Sequence, residues 1–525
     1  MNTSLDSASF VSQFSGADAT NAADISTTST TSGTTSATDA RCATTTTATD
    51  TSITIDDDNS RAETFESSLP SAICHLLPTP TTAAGDTNAS NTAHESLLSL
   101  VDANSFYASC ERVFNPNLEN RPVVVLSNND GCVIARSREA KMLGIAMGAP
   151  WFQLKDDAKR LGVVARSSNY ELYGDLSNRM MSRLARICLW QEVYSIDECF
   201  LGVPDLGENQ RFYTAHDFAK FIRDDIRKTI GLPVSVAIAP TKTLAKALNH
   251  RAKDDPRFRS VCTIDQLQAT EFTLDDLLRE MPVGEVWGVG RALSKTLPQY
   301  GIDTAYDLKV ALPKQGRSIL NVNLERTISE LNGVKCYDLV VEHKDRQSMI
   351  YSRMFSKPIK TLNEMKQVMS IYAQKICTRL RGQESVAKQI TVFGSTSQFA
   401  NARFHRSFFE TVRIPNGTAS PMVLAKTACQ ILDRVFEEGA WYNRAGLVLT
   451  DLVPIKMAIN VLPLFRPELD QEHVSETLDH ITQRFGEASI GIGLGGLKER
   501  PSWNMTRRML SPRCTTHWDE LRTVS

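Results

Sequence analysis

The composition of the chain breaks near residue 96, and that break decides how much of it can fold. Residues 1–95 are mainly Thr, Ser, Ala, Asp and Asn, as in the run Thr44 to Thr47. Such a stretch holds too little apolar surface to offset the entropy of ordering it. It reads as a disordered leader, relieved only by a short apolar patch at Ile73–Leu77. The leader has two basic residues, Arg41 and Arg61, against twelve acidic ones, a net of −10. The full 525 residues hold 58 Lys plus Arg and 60 Asp plus Glu. Removing the leader leaves 56 basic and 48 acidic side chains, so a nearly neutral chain conceals a basic body of net +8. A body of that length implies more than one domain.

Several classes are excluded at once. No apolar run approaches the ~18 residues of a membrane span, and the N-terminus lacks the basic and apolar regions of a secretory signal. The eleven cysteines form no C-x-x-C pair. Scattered, odd-numbered cysteines fit a reducing cytosol and act as small apolar fillers. The expected location is therefore cytoplasmic.

Past the break, the apolar pattern becomes legible. Leu97–Val101, ending in Asp102, reads as a buried strand, and Val123–Leu126 as a second one closed by the turn residues Asn128–Gly131. Leu172, Leu176, Met180, Leu184 and Cys188 recur every four residues and predict a helix. Val193–Val203 is strand-like, Phe218–Ile230 helical, Val234–Ile238 a strand, and Thr243–Ala252 a helix. This order predicts a sheet domain over residues 96–270 with helices on one face, carrying an insertion at about 110–166. Residues 271–345 read as mostly helical. Residues 346–455 read as a separate α+β unit, with helices near Asn363–Leu380 and Pro421–Glu438 and strands near Gln389–Phe393 and Ala445–Leu452. Residues 456–525 have weak periodicity and read as a tail. Between 346 and 450 there are 15 Lys plus Arg against 6 Asp plus Glu, a net of +9 that accounts for the whole surplus of the body. Charge so concentrated points to a phosphate-backbone platform.

Three acids stand where acids are costly. Asp102 ends an apolar strand, and Asp197 and Glu198 interrupt the run from Val193 to Leu201. Buried carboxylates need partners or a metal. Carboxylates from neighbouring strand ends form an all-oxygen site suited to Mg²⁺, which takes substrate phosphates as further ligands. Two such ions activate an attacking hydroxyl and stabilise a leaving group. Adjacent strand residues point to opposite faces, so Asp197 and Glu198 share one site only at a hairpin tip or bulge. Otherwise one of them is a ligand and the other faces solvent.

Tyr194-Ser195-Ile196-Asp197-Glu198, with the segment Val101-Asp102-Ala103-Asn104-Ser105-Phe106-Tyr107, resembles the catalytic palm of Y-family translesion DNA polymerases. The blocks Val124–Arg136, Ser167–Tyr173, Thr241–Lys246 and Met509–Arg513 are similar to the UmuC-type catalytic subunit of bacterial DNA polymerase V. The resemblance runs in order from about residue 97 to the C-terminus. It implies an α+β right hand: a ferredoxin-like palm, small fingers, a helical thumb with a helix-hairpin-helix, and an α+β little finger after the leader. The 67 residues between Asp102 and Tyr170 suit small fingers.

The roles that the resemblance implies fall on matching positions. Asp102, Asp197 and Glu198 would hold two Mg²⁺ ions, with the Ala103 carbonyl as a further ligand. A primer 3′-hydroxyl would attack the α-phosphorus of a dNTP. Phe106 would lie at the nucleotide and Tyr107 would be the steric gate that leaves no room for a 2′-hydroxyl. Lys242 would meet the triphosphate. Lys141 stands where relatives often carry Arg, and Arg138 where many carry Tyr. Gly288, Gly290 and Arg291 fall in the hairpin Val286–Arg291, whose backbone N–H groups would approach a DNA phosphate. Val461–Phe465 resembles a sliding-clamp peptide, with Leu462, Leu464 and Phe465 as anchors and Val461 where a Gln usually leads.

The expected activity is error-prone translesion synthesis in the SOS response to DNA damage. The implied partners are primer-template DNA, dNTPs, a dimeric UmuD-type accessory subunit, a RecA filament and the sliding clamp, with no membrane and with a nucleoid-associated location. Two rivals remain. A non-catalytic DNA-bound scaffold would not need intact Asp102, Asp197, Glu198, Tyr107 and Lys242. A palm-fold nucleotidyl cyclase would need neither a basic little finger nor a helix-hairpin-helix.

Overall fold

The computed structural model describes residues 97–521, apart from 313–321, 341–344, 398–404, 459–468, 487–488 and 497–500. The leader and the segment Val461–Phe465 lie outside the described residues. Among the described residues there are three separate sheets.

The first sheet has the order β5-β6-β1-β7-β8. Its strands are β1 (Leu98–Ala103), β5 (Gln191–Val193), β6 (Glu198–Gly202), β7 (Val234–Ala239) and β8 (Val261–Thr263). β1 is antiparallel to both β6 and β7, and β8 runs parallel to β7. Every residue of β1 and of β7 is buried. Strands buried on both faces read as continuous apolar runs, so helices cover both faces of the sheet rather than the one expected from element order. Val101, Ala103, Cys199, Leu201 and Val236 pack against α2 (Tyr170–Ala185) and α3 (Ala215–Thr229). Leu98, Leu100, Phe200 and Ala237 pack against α4 (Lys242–Asp254). α1 (Phe106–Val113) follows β1 across a tight turn. The strand-like run Val193–Val203 is in fact a hairpin, because Tyr194 and Ser195 N–H both donate to the Glu198 carbonyl, at 3.0 and 3.1 Å.

The insertion carries its own small sheet, ordered β3-β2-β4. Its strands are β2 (Val123–Leu126), β3 (Val133–Arg136) and β4 (Val164–Ser167), with β2 antiparallel to β3 and parallel to β4. Its separate core contains Val124, Leu126, Val133, Ile145 and Leu154.

The helical stretch that follows shares the core of the first sheet: Leu277, Val286, Leu297, Leu308 and Ile328 belong to the cluster that holds Leu98 and Leu100. The Thr273 and Thr304 side chains start two of its helices with reciprocal capping boxes. The expected helix-hairpin-helix is abbreviated. A 3-10 turn at Val283–Glu285 stands in place of the first helix, and the second is Arg291–Thr296.

The third sheet, ordered β11-β10-β12-β9, lies in the basic region. Its strands are β9 (Met349–Ile359), β10 (Ser385–Thr396), β11 (Ser407–Thr418) and β12 (Tyr442–Pro454). α5 (Leu362–Gly382) and α6 (Pro421–Val435) cover one face through Met369, Ile376, Leu424 and Ile431. The register puts Phe393, Phe409, Arg413 and Arg444 on the other face. β11 escaped the sequence reading because its exposed face breaks the apolar run. The tail also holds more structure than its weak periodicity suggested. Residues Leu469–Phe485 form helix α7, tied by its Asp479 to Arg381 of α5 at 2.6 Å, a polar anchor that apolar patterning does not register.

Candidate active site

β1 and β6 are in register so that Asp102 sits directly opposite Glu198. Residues opposite each other in an antiparallel pair share a face. Asp102 continues the face of Leu98 and Leu100, and Glu198 that of Phe200, which is the face covered by α4. Asp197 occupies the tip of the β5–β6 hairpin, where strand alternation no longer applies. Its carbonyl accepts from the Ala103 N–H at 2.9 Å, and its Oδ1 accepts from the Ser195 hydroxyl at 2.6 Å. The hairpin tip thus lets all three acids gather at one end of the sheet.

Two lysines of α4 meet them. Lys253 Nζ lies 2.5 Å from Asp102 Oδ2, and Lys246 Nζ lies 2.7 Å from Glu198 Oε2. Lys246 also sits 4.3 Å from the centre of the Tyr194 ring, and the Trp287 indole N–H donates to the Tyr194 hydroxyl at 3.2 Å. The glycine-containing hairpin is thereby linked to the rim of the site.

Burial pushes the Asp102 carboxyl well above its ordinary range; Lys253 opposes this and the neighbouring Glu198 adds to it. Burial likewise raises Asp197, opposed by the Ser195 hydroxyl and reinforced by Glu198. Burial also acts to raise Glu198, but Lys246, Asp102 and Lys253 outweigh it and hold that carboxyl low. Glu198 thus raises both neighbouring carboxyls, and such crowding of like charge is relieved by a cation. Among the described residues, no group of three or more His, Cys, Asp or Glu forms a ready-made metal cage. Mg²⁺ does not require one, since it is usually held by one or two carboxylates, waters and substrate phosphates. The facing Asp102–Glu198 pair, with Asp197 beside it, is a hard-oxygen donor set that fits such an ion.

Phe106 and Tyr107 begin α1, after Ser105 turns the chain in the left-handed conformation at φ 48°. Phe106 is buried in the core under the first sheet. Tyr107 stacks on Tyr173 with ring centres 4.7 Å apart and meets Tyr170 edge-on at 6.0 Å. Arg138 and Lys141 are exposed on the insertion. Gly288 takes φ 93°, which suits glycine, and Gly290 directly precedes the helix that Arg291 opens.

Lys242 is not brought to the carboxylates. It is buried, with Nζ 2.7 and 2.8 Å from the two Glu192 oxygens and 2.9 Å from the Asp338 carbonyl. Eleven residues of helix separate it from Lys253, or ~16 Å at 1.5 Å per residue. The residues that sequence reasoning missed are Lys246 and Lys253. A usable signal existed: positions 242, 246 and 253 lie on one helical stripe, so either later lysine was as eligible as the first.

A family model described as the impB/mucB/samB family matches residues 101–250, and its C-terminal domain matches residues 346–458. A domain of unknown function matches residues 472–524. Protein UmuC of Salmonella typhimurium strain LT2 is 40% identical over 435 residues, covering 82% of this chain and all of that protein. Protein SamB of Salmonella typhimurium is 39% identical over 428 residues, covering 81% of this chain and 99% of that protein. A Y-family DNA polymerase chimera of Dbh and Dpo4 superposes with a TM-score of 0.54 at 22% identity, covering 68% of this chain and 99% of the chimera. That likeness concerns the fold. The expected right hand is therefore the fold of this protein, and its chain belongs to the impB/mucB/samB family.

Proposed function

We propose that the protein extends a primer on damaged template DNA by nucleotidyl transfer assisted by two Mg²⁺ ions. The observation that carries this reading is the facing Asp102–Glu198 pair with Asp197 at the adjoining hairpin tip. Bound Mg²⁺ would lower the pKa of the primer 3′-hydroxyl and neutralise charge on the leaving pyrophosphate. The chain's own groups do the rest. Asp102, Asp197, Glu198 and the Ala103 carbonyl would hold the ions. Lys253 and Lys246 now neutralise Asp102 and Glu198, and would turn to the triphosphate as a nucleotide arrives. Such chemistry is mainly positioning and charge stabilisation. Tyr107, held against Tyr173, would close the space beside the sugar C2′. Phe106 supports that ring from the core, and the exposed Arg138 and Lys141 would approach the nucleotide from the fingers.

The basic third sheet would grip template and primer backbones. Arg413 and Arg444 share its uncovered face with Phe393 and Phe409. The hairpin containing Gly288, Gly290 and Arg291 would add a backbone contact from the thumb. Both contacts are indifferent to sequence, as a polymerase requires. Action within the SOS response, the UmuD-type dimer, the RecA filament, clamp docking through Leu462, Leu464 and Phe465, and association with the nucleoid follow from the same reading. No helix among the described residues is long and apolar enough to cross a membrane.

The test is primer extension with Mg²⁺ and dNTPs on intact and abasic templates, comparing wild type with Asp197→Ala. Extension lost in the variant supports the reading. Equal extension by both proteins, or none by the wild type together with its accessory proteins, favours a DNA-bound scaffold.

A further inference from the structure

Two sequence blocks that the polymerase reading leaves without a task, Ser167–Tyr173 and Met509–Arg513, are brought together in the fold. The Met509 carbonyl accepts from the Ser167 N–H at 3.0 Å, and the Met509 N–H donates to the Ser167 hydroxyl at 2.9 Å. The Met509 side chain packs, partly buried, against the core of the small sheet in the insertion. Arg513 pairs with Glu171 at 3.2 Å. The C-terminal segment is thus strapped across the start of α2, far from it in sequence.

At the centre of this strap is Ser511. Its hydroxyl donates to Glu111 Oε1 at 2.9 Å, and the Tyr173 hydroxyl donates to the same oxygen at 2.6 Å. Tyr173 is the ring on which Tyr107 stacks, tilted by only 19°. A second route runs through Asn169. Its side-chain nitrogen donates to the Ser511 carbonyl at 3.1 Å and to the Ser511 hydroxyl at 2.9 Å. Its side-chain oxygen caps α2 by accepting from the Leu172 N–H. The first residue of that helix, Tyr170, meets Tyr107 edge-on. Asn169 and Tyr173 are fully buried and Glu111 is 4% exposed. A buried carboxylate is held in place by its donors, and losing one changes where it settles. A cavity of about 160 Å³ beside Glu111, lined in part by Phe114, Arg166 and Leu510, leaves it room to move.

We propose that Ser511 is a positioning residue for sugar selection: through Glu111 and Asn169 it fixes Tyr173 and the start of α2, and so fixes the face against which Tyr107 rests. The proposal rests on the reading of Tyr107 as the ring beside the sugar. It assigns the C-terminal strap a part in substrate choice rather than in chemistry. Removing the Ser511 hydroxyl frees Glu111 to turn toward Arg166, now 3.7 Å away, and the Tyr173 hydroxyl loses its fixed acceptor. With its support displaced, Tyr107 would admit a 2′-hydroxyl more often.

The experiment uses the full chain with the accessory proteins that support extension. It measures kcat/KM for dATP and for ATP opposite template dT. Variants are Tyr107→Ala, Ser511→Ala, Ser511→Thr and Tyr173→Phe. Tyr107→Ala should collapse the dATP/ATP ratio. Ser511→Ala and Tyr173→Phe should each lower it about fivefold, equivalent to ~1 kcal/mol at 1.4 kcal/mol per tenfold, while dATP use changes little. Ser511→Thr, which keeps the hydroxyl, should hold the wild-type ratio. If Tyr107→Ala relaxes selection and the other three variants leave it unchanged, the positioning role is lost and the gate stands. If Ser511→Ala slows dATP and ATP equally, Ser511 is merely structural. If Tyr107→Ala itself changes nothing, the gate reading falls and this role falls with it. Should Ser511→Ala not fold, Tyr173→Phe decides: an unchanged ratio there overturns the proposal.

Discussion

Asp102 and Glu198 face each other across the β1–β6 ladder, and each is held by a different lysine of one helix, Lys253 and Lys246. The third lysine on that stripe, Lys242, is committed to Glu192 and to the Asp338 carbonyl. Three similar residues therefore have different tasks, and substitution separates them.

Lys253→Ala should raise the KM for dNTP by roughly tenfold, since a charge-assisted contact to the triphosphate contributes about 1.5 kcal/mol, with a smaller loss of stability than at Lys242 because Lys253 is more exposed than the buried Lys242. Lys242→Ala should behave in the opposite way. It leaves Glu192 buried without its cation, at a cost of ~3–5 kcal/mol, while KM stays near wild type. Thermal melts and steady-state kinetics on both variants check this. Equal effects on KM would show that Lys242 reaches the nucleotide after all.

Gly446 lies under Phe393 on the uncovered face of the third sheet. A Cβ there would fall 2.5 Å from the Ser352 Cβ and 2.6 Å from the Phe393 ring. Gly446→Ala should therefore destabilise the protein by ~1–3 kcal/mol, the usual cost of overpacking, and should displace Phe393. A lower melting midpoint is the expected result, with Phe393→Leu restoring part of it in the double variant.

Arg413 and Arg444 sit on that same face, three strands and one strand away from β9. If each neutralises one phosphate, Arg444→Ala should weaken DNA binding alike on all sequences. It should also reduce the slope of log K against log salt by about 0.9. Fluorescence anisotropy at several salt concentrations measures this, and an unchanged slope would remove Arg444 from the interface.

Burial raises the Glu111 carboxyl above its ordinary 4.5, against the Tyr173 and Ser511 hydrogen bonds and the charge of Arg166. A carboxyl raised on folding binds its proton more tightly in the native state. Its contribution to stability is thus fully present below pH 4.5 and is lost as pH rises through the folded value. Glu111→Gln removes this titration. The melting midpoint of wild type minus that of the variant should fall as pH rises above 4.5. A difference that rises over this range would reverse the assigned direction.

Much of the architecture was legible because it is local. The uniform apolar runs at Leu98–Val101 and Val234–Ile238 and the four-residue recurrence in Leu172–Leu184 specify elements through neighbouring residues alone. Asp102, Asp197 and Glu198 stood out for a similar reason, as charges placed in apolar runs where burial makes them costly. β11 and α7 were not legible, since exposed and polar-anchored elements leave little apolar signature.

The sequence by itself determined the elements that carry a strong apolar pattern, which carboxylates are out of place, and that the basic charge is concentrated in one unit. Tertiary structure decided which groups meet. It set Asp102 opposite Glu198 through strand register, chose Lys246 and Lys253 over Lys242 by the line along which α4 crosses the sheet, and brought Ser511 to Glu111 across 400 residues. The physical reason is range. Periodicity and burial cost act within a few residues, whereas register, helix placement and strap docking are set by packing between segments far apart in the chain, and no local pattern encodes them.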